Sequence, residues 1–470
     1  MRISAWIVIW AFGVVPVAAL AISESTERPN VLFIAVDDLN DWIEPLGGFD
    51  GVKTPYLDRL ADQGVLFTRA YCNAPLCNAS RVSLLTGLRP STTGVYTNSQ
   101  PFRAVRADAV TLPQHFMTHG YHVVGGVKMY HGHFPDPASW HEYFEQQADP
   151  MAEETPVNGI PHARHFDWGA VDVDDAAMND MKVAEWAIDY LKKPHDKPFF
   201  LAAGFYRPHL PWYSPRKYFE QYPLDKVVVP SIRLDDLLDI PPAGVRMANA
   251  NGDHLRVTRS DNWKRAVQGY LASITFVDAC IGRLMDALMA SPHARNTIVI
   301  LWSDHGWHLG EKLHWRKFTL WEEAGRVPMI MIVPGVTTAG ARCDRTVSLV
   351  DIYPTLIDVC GLSPRDELEG RSLMPLLKDP NATWDHPVVT THGQNNHAVR
   401  SEQWRYIRYA DGSEELYDHR RDPMEWTNVA KRTEFEPVKR ELAALLPEVN
   451  AKPAPSHKLK PKWNPTRDTK

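Results

Sequence analysis

The sequence predicts an α/β fold, with a large, mainly parallel sheet between helices and a smaller antiparallel sheet toward the C terminus. Three observations carry this. Residues 30–36 and 297–302 are continuous apolar runs rich in β-branched residues, the pattern of strands buried on both faces. Residues 180–192 and 272–290 repeat apolar side chains at the helical period, the second placing Ile274, Val277, Ile281, Leu284 and Leu288 on one face. Strands alternating with such helices imply a parallel sheet. Beyond Asp379 the pattern changes to short runs separated by turn residues, which reads as antiparallel strands.

Taken in order, the chain opens with a segment of export type. Arg2 is the only charge before Glu24, an apolar run follows, and Ala19-Leu20-Ala21 offers a small-x-small cleavage site. The run is nearly long enough for a membrane anchor, but the cleavage site and the polar Ser-Glu-Ser-Thr after it favour removal. Residues 1–21 are therefore expected to be a signal peptide and the protein to be exported, whether periplasmic, secreted or otherwise extracytoplasmic. A catalytic unit is expected over 22–378. Its first strand, 30–36, delivers Asp37 and Asp38 at its carboxyl end, where open α/β sheets bind ligands. Strands are expected at 121–127, 198–203 and 327–333. Strand 297–302 ends in Ser303-Asp304-His305-Gly306, so two strand ends together supply one oxygen-rich cation site; one pair alone would read as a helix cap and a surface acid. Residues 234–257, rich in Pro, Gly, Asn and Asp, read as a long loop near the substrate face. Trp212, Trp307, His308 and His314 read equally as rim or packing residues.

A second unit, 379–451, is expected to hold strands at 387–391, 397–400, 404–409 and 415–418, with a tight turn at Asp411-Gly412. Residues 452–470 carry Pro and Lys without periodicity and read as a basic, solvated tail.

Composition narrows the function. Apolar residues make up 44% and charged residues 23% of the 470, ordinary for a globular enzyme with a substantial core. A net charge of -6 has the wrong sign for a nucleic-acid partner, so an anionic substrate needs a local cluster of bases. Five cysteines contain no metal-like C-x-x-C pair, and their spacing requires no disulfide.

The run Cys77-Asn78-Ala79-Ser80-Arg81-Val82-Ser83-Leu84-Leu85-Thr86-Gly87 places a cysteine four residues before an arginine, at the start of a short helix closed by Gly87. A thiolate there would gain from the helix N-terminus and the guanidinium. The competing reading is a buried cysteine beside an N-capping Ser80. The whole run resembles the C-x-P/A-S-R signature of type I sulfatases, which is followed by an apolar helix and Thr-Gly. Ala79 stands where proline is commoner, an exchange the family pattern accepts. Further segments resemble the family in order along the chain: Lys128-Met129-Tyr130-His131, Arg207-Pro208-His209, and Lys317 after Trp315-Arg316. Val127 departs from the pattern, since the family places glycine directly before the lysine. Val36-Asp37-Asp38-Leu39 and Ser303-Asp304-His305-Gly306-Trp307 are similar to the iduronate-2-sulfatase-like subgroup. Glu415-Leu416-Tyr417-Asp418 and Asp422-Pro423 resemble the family's C-terminal sheet.

The resemblance implies an alkaline-phosphatase-like fold and a sulfuric ester hydrolase. It implies that a formylglycine-generating enzyme oxidises Cys77 to formylglycine, whose hydrated aldehyde is the nucleophile. It implies one divalent ion held by Asp37, Asp38, Asp304, His305 and residue 77; mostly oxygen ligands favour calcium, then magnesium, over zinc. Lys128 and Lys317 are expected to clamp sulfate oxygens and Arg81 to orient the nucleophile. His209 is expected to protonate the leaving sugar oxygen, and His131 to take the proton of the geminal hydroxyl so that sulfate leaves. The implied substrate is a sulfated oligo- or polysaccharide, such as a 2-O-sulfated uronate. Two other readings compete: a phosphate or phosphonate monoester hydrolase of the same superfamily, and a non-catalytic saccharide-binding relative. Phosphatases with two zinc ions need more His and Asp ligands than these motifs provide.

Overall fold

The computed structural model describes residues 28–457 except 133, 153 and 164; the expected signal segment and residues 458–470 lie outside the described residues. Eight strands form the main sheet: β1 (Asn30–Val36), β2 (Val65–Tyr71), β3 (His122–Val127), β4 (Glu142–Phe144), β5 (Phe199–Phe205), β6 (Thr297–Ser303), β7 (Arg326–Ile332) and β8 (Ala341–Ser348). Their order is β8-β2-β7-β6-β1-β5-β3-β4. All neighbours are parallel except β7, which runs antiparallel to β6 and β2. The sheet is mixed and mainly parallel.

The central strands are apolar throughout because both faces are covered. Leu32, Ile34 and Val36 enter one core, and Val31, Phe33 and Ala35 enter the other. Helices α2 (Asn179–Leu191) and α3 (Trp263–Ala290) pack on the first face, and α1 (Cys77–Thr86) and α4 (Ile352–Val359) on the second. Helix α3 starts nine residues before the periodicity predicts, as Ala266, Val267, Tyr270 and Leu271 extend its buried face. Strand β5 runs two residues further than expected because Gly204 and Phe205 still pair with β1. Residues 234–257 correct the loop expectation, since they contain two short helices, Pro242–Ala248 and Asp253–Arg259. Proline at the first turn of one and aspartate at the start of the other are helix-starting signals that local composition obscured.

Four strands, β9 (Val388–Thr391), β10 (His397–Arg400), β11 (Trp404–Arg408) and β12 (Glu414–Asp418), form the antiparallel C-terminal sheet in sequence order. Residues 452–457 run along residues 91–100, with Ala454 buried and the residues on either side of it exposed. All five cysteines are free and buried. No helix among the described residues is long and apolar enough to cross a membrane.

Candidate active site

Strand register places the candidate side chains at one level. Val36 pairs with both Phe205 and Ser303, and Val127 pairs with Gly204. The residues after β1, β3, β5 and β6 therefore leave the sheet together at its carboxyl edge. Asp37 and Asp38 follow β1, Lys128 follows β3, Tyr206 follows β5, and Asp304 and His305 follow β6. Helix α1, after β2, adds Cys77 and Arg81, and the segment before β7 adds Lys317.

Backbone strain shapes this edge. Asp38 (φ 64°), Val127 (φ 55°), Arg316 (φ 76°) and Phe318 (φ 78°) adopt the left-handed region, which costs non-glycine residues of order 1–3 kcal/mol each. Val127 is thus the departure from the family's glycine, carrying a β-branched side chain where glycine is favoured. Tyr270 supports Asp38: its hydroxyl donates to the Asp38 carbonyl at 2.7 Å and accepts from the Asn40 N–H at 3.0 Å. Arg316 and Phe318 bracket Lys317, and the His314 ring lies between two carbonyl acceptors, with Nε2 2.7 Å from that of Lys317 and Nδ1 2.6 Å from that of Ala248.

Around Cys77 the structure assembles a closed array of charge. Lys317 Nζ stands 3.3 Å from Cys77 Sγ and 2.6 Å from Asp38 Oδ1. Lys128 Nζ lies 2.7 Å from Asp37 Oδ2. Arg81 donates through Nε to Asp304 Oδ2 at 2.8 Å, through Nη2 to Asp37 Oδ1 at 3.3 Å, and through Nη1 to the Lys128 carbonyl. Its guanidinium also sits 5.6 Å from the Trp302 ring. Ser80 is no N-cap: it lies inside α1 and its hydroxyl donates to the Asp304 carbonyl at 2.6 Å.

His305 directs Nε2 into the array, 3.3 Å from Asp38 Oδ1 and 3.4 Å from Cys77 Sγ, while Nδ1 meets the Gly306 carbonyl at 3.0 Å. A proton on Nδ1 leaves the Nε2 lone pair as a ligand. The ligand atoms of Asp37, Asp38, Cys77 and His305 lie within 4.8 Å of one another. Asp304 adjoins this group but is bound to Arg81 and to the backbone N–H groups of Asp38 and His305.

The donor set fits a hard divalent cation. Burial, then Lys317 working against it and Asp37 with it, leave Asp38 raised to about 6. Burial and the neighbouring carboxylates overcome Arg81 to push Asp304 up to about 8. Asp37 is held well below the usual carboxylate range: burial opposes this, but Lys128, His209, Arg81 and Lys317 prevail. Asp38 Oδ2 is buried and accepts no hydrogen bond among the described residues. Asp37 and Asp38, with an oxygen left unsatisfied and the His305 imidazole beside them, form a donor set that suits a hard divalent cation.

One expectation changes, and one open alternative is decided. Burial, with Asp37 adding to it, pushes the Cys77 thiol up, so the folded site holds a thiol and not the thiolate that its helix position suggested. Trp212, Trp307, His308 and His314 are buried and line no rim; Trp307 lies beneath Lys317 Nζ at 5.2 Å, with Trp212 packed behind it.

His209 is half-buried. Its Nδ1 lies 2.6 Å from the Leu210 carbonyl, and Nε2 faces the array, 3.9 Å from Asp38 Oδ2. His131 is half-buried three residues beyond Lys128, and its carbonyl accepts from the Phe134 N–H. Sequence reasoning missed Tyr206, whose ring lies 4.9 Å from Lys128 Nζ, and Tyr270. Tyr206 adjoins the Arg207-Pro208-His209 motif, which offered a signal; Tyr270 lies within the apolar pattern of α3, which offered none.

Residues 29–362 match the family model described as Sulfatase, and residues 310–452 match that described as N-sulphoglucosamine sulphohydrolase, C-terminal. The chain is 40% identical over 450 residues to a sulfatase of Formosa agariphila, covering 92% of this chain and 88% of that one. It is 30% identical over 389 residues to human iduronate 2-sulfatase, covering 72% and 70%. Its fold is also similar to that of the phosphonate monoester hydrolase of Agrobacterium radiobacter, with a TM-score of 0.68, 24% identity, and coverage of 89% and 94%.

Proposed function

Because the chain belongs to the type I sulfatase family and is a sulfuric ester hydrolase, we propose that it desulfates saccharides, 2-O-sulfated uronates among them, through a formylglycine at position 77. One observation carries the reading: Lys317, Lys128 and Arg81 converge with three buried carboxylates beside Cys77. Arg81, Lys128 and Lys317 offset the charge of Asp37, Asp38 and Asp304 even with every carboxylate ionised, so adding a divalent ion leaves the site positive, complementary to a sulfate monoester. The uronate specificity rests on the iduronate 2-sulfatase relative.

Formylglycine supplies a hydrated aldehyde as nucleophile, and a divalent ion, for which we propose calcium, supplies charge for the sulfate oxygens. Asp37, Asp38 and His305 hold the ion, with Asp304 keeping Arg81 and the neighbouring backbone in place. Lys128 and Lys317, already ordered by Asp37 and Asp38, bind sulfate oxygens. Arg81 is immobilised by Asp304 and Asp37 and orients residue 77. His209 is the acid for the leaving oxygen. Burial, then Lys317, hold it well below the usual histidine range, so it is neutral without substrate; a bound sulfate's negative charge opposes that shift. His131 takes the proton of the second hydroxyl on residue 77. Formylglycine requires a formylglycine-generating enzyme as a maturation partner, and the export-type composition of residues 1–21 supports an extracytoplasmic location.

A phosphate or phosphonate ester reading draws on the shared fold. Turnover of a sulfate and a phosphate monoester of one aryl alcohol separates the two, with the sulfate expected to react faster. Peptide mass analysis across residues 71–89 is expected to find the aldehyde at position 77, and defined sulfated oligosaccharides are expected to show 2-O selectivity. Faster phosphate turnover, or full activity with unmodified thiol, overturns the proposal.

A further inference from the structure

Residues 450–457 form a strap across loops that lead to Cys77. The N–H groups of Ala451, Ala454 and His457 donate to the carbonyls of Ser91, Gly94 and Ser99 at 2.7, 2.8 and 2.8 Å. This three-residue spacing is that of a polyproline II segment, which Pro453 and Pro455 favour. Side chains reinforce it: Tyr96 donates to the Ala451 carbonyl at 2.9 Å, and Gln100 Nε2 donates to that of Ala454 at 2.7 Å. Gly94 has φ 75°, and a Cβ there would meet the Lys452 carbonyl oxygen at 2.2 Å, so the strap lies directly against its backbone.

Gln100 passes this contact inward. Its Oε1 accepts from the N–H groups of Tyr96 and Thr97 at 2.6 and 2.8 Å. The carbonyls of Thr97 and Gln100 accept from Asn78 Nδ2 at 2.9 and 2.8 Å, and Asn98 Oδ1 accepts from the Asn78 N–H at 3.0 Å. Asn78 is the first residue after Cys77 in α1. The strap also accepts from Gln394 Nε2 of the C-terminal sheet, through the carbonyls of Asn450 and Ala451. The His457 ring lies 6.4 Å from that of Phe134, tilted by 47°, in the segment that follows His131.

We propose that the strap is a positioning element of the active site: acting through Gln100 and Asn78, it fixes the start of α1 and closes residue 77 from solvent. The catalytic consequence rests on residue 77 being the nucleophile; the closure does not. Without the strap, the 91–100 loop retains its own turn but loses its outer partners, and Asn78 loses the surface that holds it.

The test uses the full chain carrying unconverted Cys77, labelled with iodoacetamide and mapped by peptide mass at all five cysteines. In Gln100→Ala, and in a chain ending at Asn450, Cys77 is expected to label at least tenfold faster, with Cys72, Cys280, Cys343 and Cys360 unchanged. In converted Gln100→Ala, kcat is expected to fall about tenfold, with KM within twofold. If the shortened chain does not fold, Gln100→Ala and Ala454→Pro decide. Unchanged Cys77 labelling in the folded variants, or an equal rise at all five sites, overturns the proposal. Faster labelling with unchanged kcat leaves the closure standing and overturns the positioning role.

Discussion

Cys77 shows how far a local motif carries and where it stops. Its neighbours Ser80 and Arg81 both serve Asp304, 223 or more residues away, so the motif is one half of an ion-paired structure. With the thiol pushed up by burial, the proposed nucleophile is the converted residue 77, and Cys77→Ala is expected to abolish turnover while circular dichroism stays unchanged. Asp304 anchors Arg81 beside the ligand group. Asp304→Asn is expected to weaken calcium binding about 10–100-fold by titration calorimetry, with activity falling in step; unchanged affinity would remove the cation from this position. For His209→Ala, alkyl sugar sulfates are expected to lose about 100-fold or more in kcat, since removing general acid catalysis typically costs 10²–10⁴-fold. Aryl sulfates, whose phenolates leave unaided, are expected to lose less. Equal losses on both classes would assign the proton to another donor, such as Lys317.

At the scale of elements, the short helix α1 ends where its sequence says. Gly87 adopts φ 71° and its N–H meets the Ser83 carbonyl at 2.9 Å. A Cβ at this position would also approach Leu368 Cδ2 to 2.3 Å. Gly87→Ala is therefore expected to destabilise the protein by about 1–2 kcal/mol from backbone strain, with the Leu368 clash adding to it; a thermal midpoint equal to wild type would contradict this. Strands β1 and β6 were legible because both their faces are apolar. Strands β2 and β8 were not: Thr68 and Arg69 interrupt one, and Arg342, Asp344 and Arg345 make the other read as surface. Both are strands because β7 and β2, distant in sequence, supply their hydrogen-bond partners.

Across the whole molecule, a buried ionic clasp joins the main sheet's domain to the C-terminal sheet. Arg405, fully buried, pairs with Glu322 and with Glu425 Oε1 at 2.5 Å. Arg400, His419 and Tyr71 complete the set around the two carboxylates. Burial opposes ionisation of Glu322, but Arg400, Arg405, His419 and Arg326 hold it well below the usual range. A carboxyl with a depressed folded pKa contributes stability above about pH 4.3, lost as pH falls through its folded value. Arg405→Met leaves these carboxylates under-compensated and is expected to cost about 3–5 kcal/mol near neutral pH. Denaturant unfolding at several pH values should show this deficit narrowing below about pH 4.3 as the carboxylates protonate. A pH-independent deficit would mean that packing, not charge, holds the clasp.

The sequence by itself determined the main strands that carry Asp37, Asp38, Asp304 and His305, the helix beginning at Cys77, and the antiparallel C-terminal sheet. These are local: apolar period, strand-end position and motif spacing depend on neighbours along the chain. Only the tertiary structure decided that Val36 lies level with Ser303 and Phe205, and that Lys317 lies within 3.3 Å of Cys77 Sγ. It alone decided that burial pushes the Cys77 thiol up, that Tyr270 holds Asp38, and that residues 450–457 lie along residues 91–100. Burial and through-space charge depend on which distant segments meet, and no local pattern encodes that.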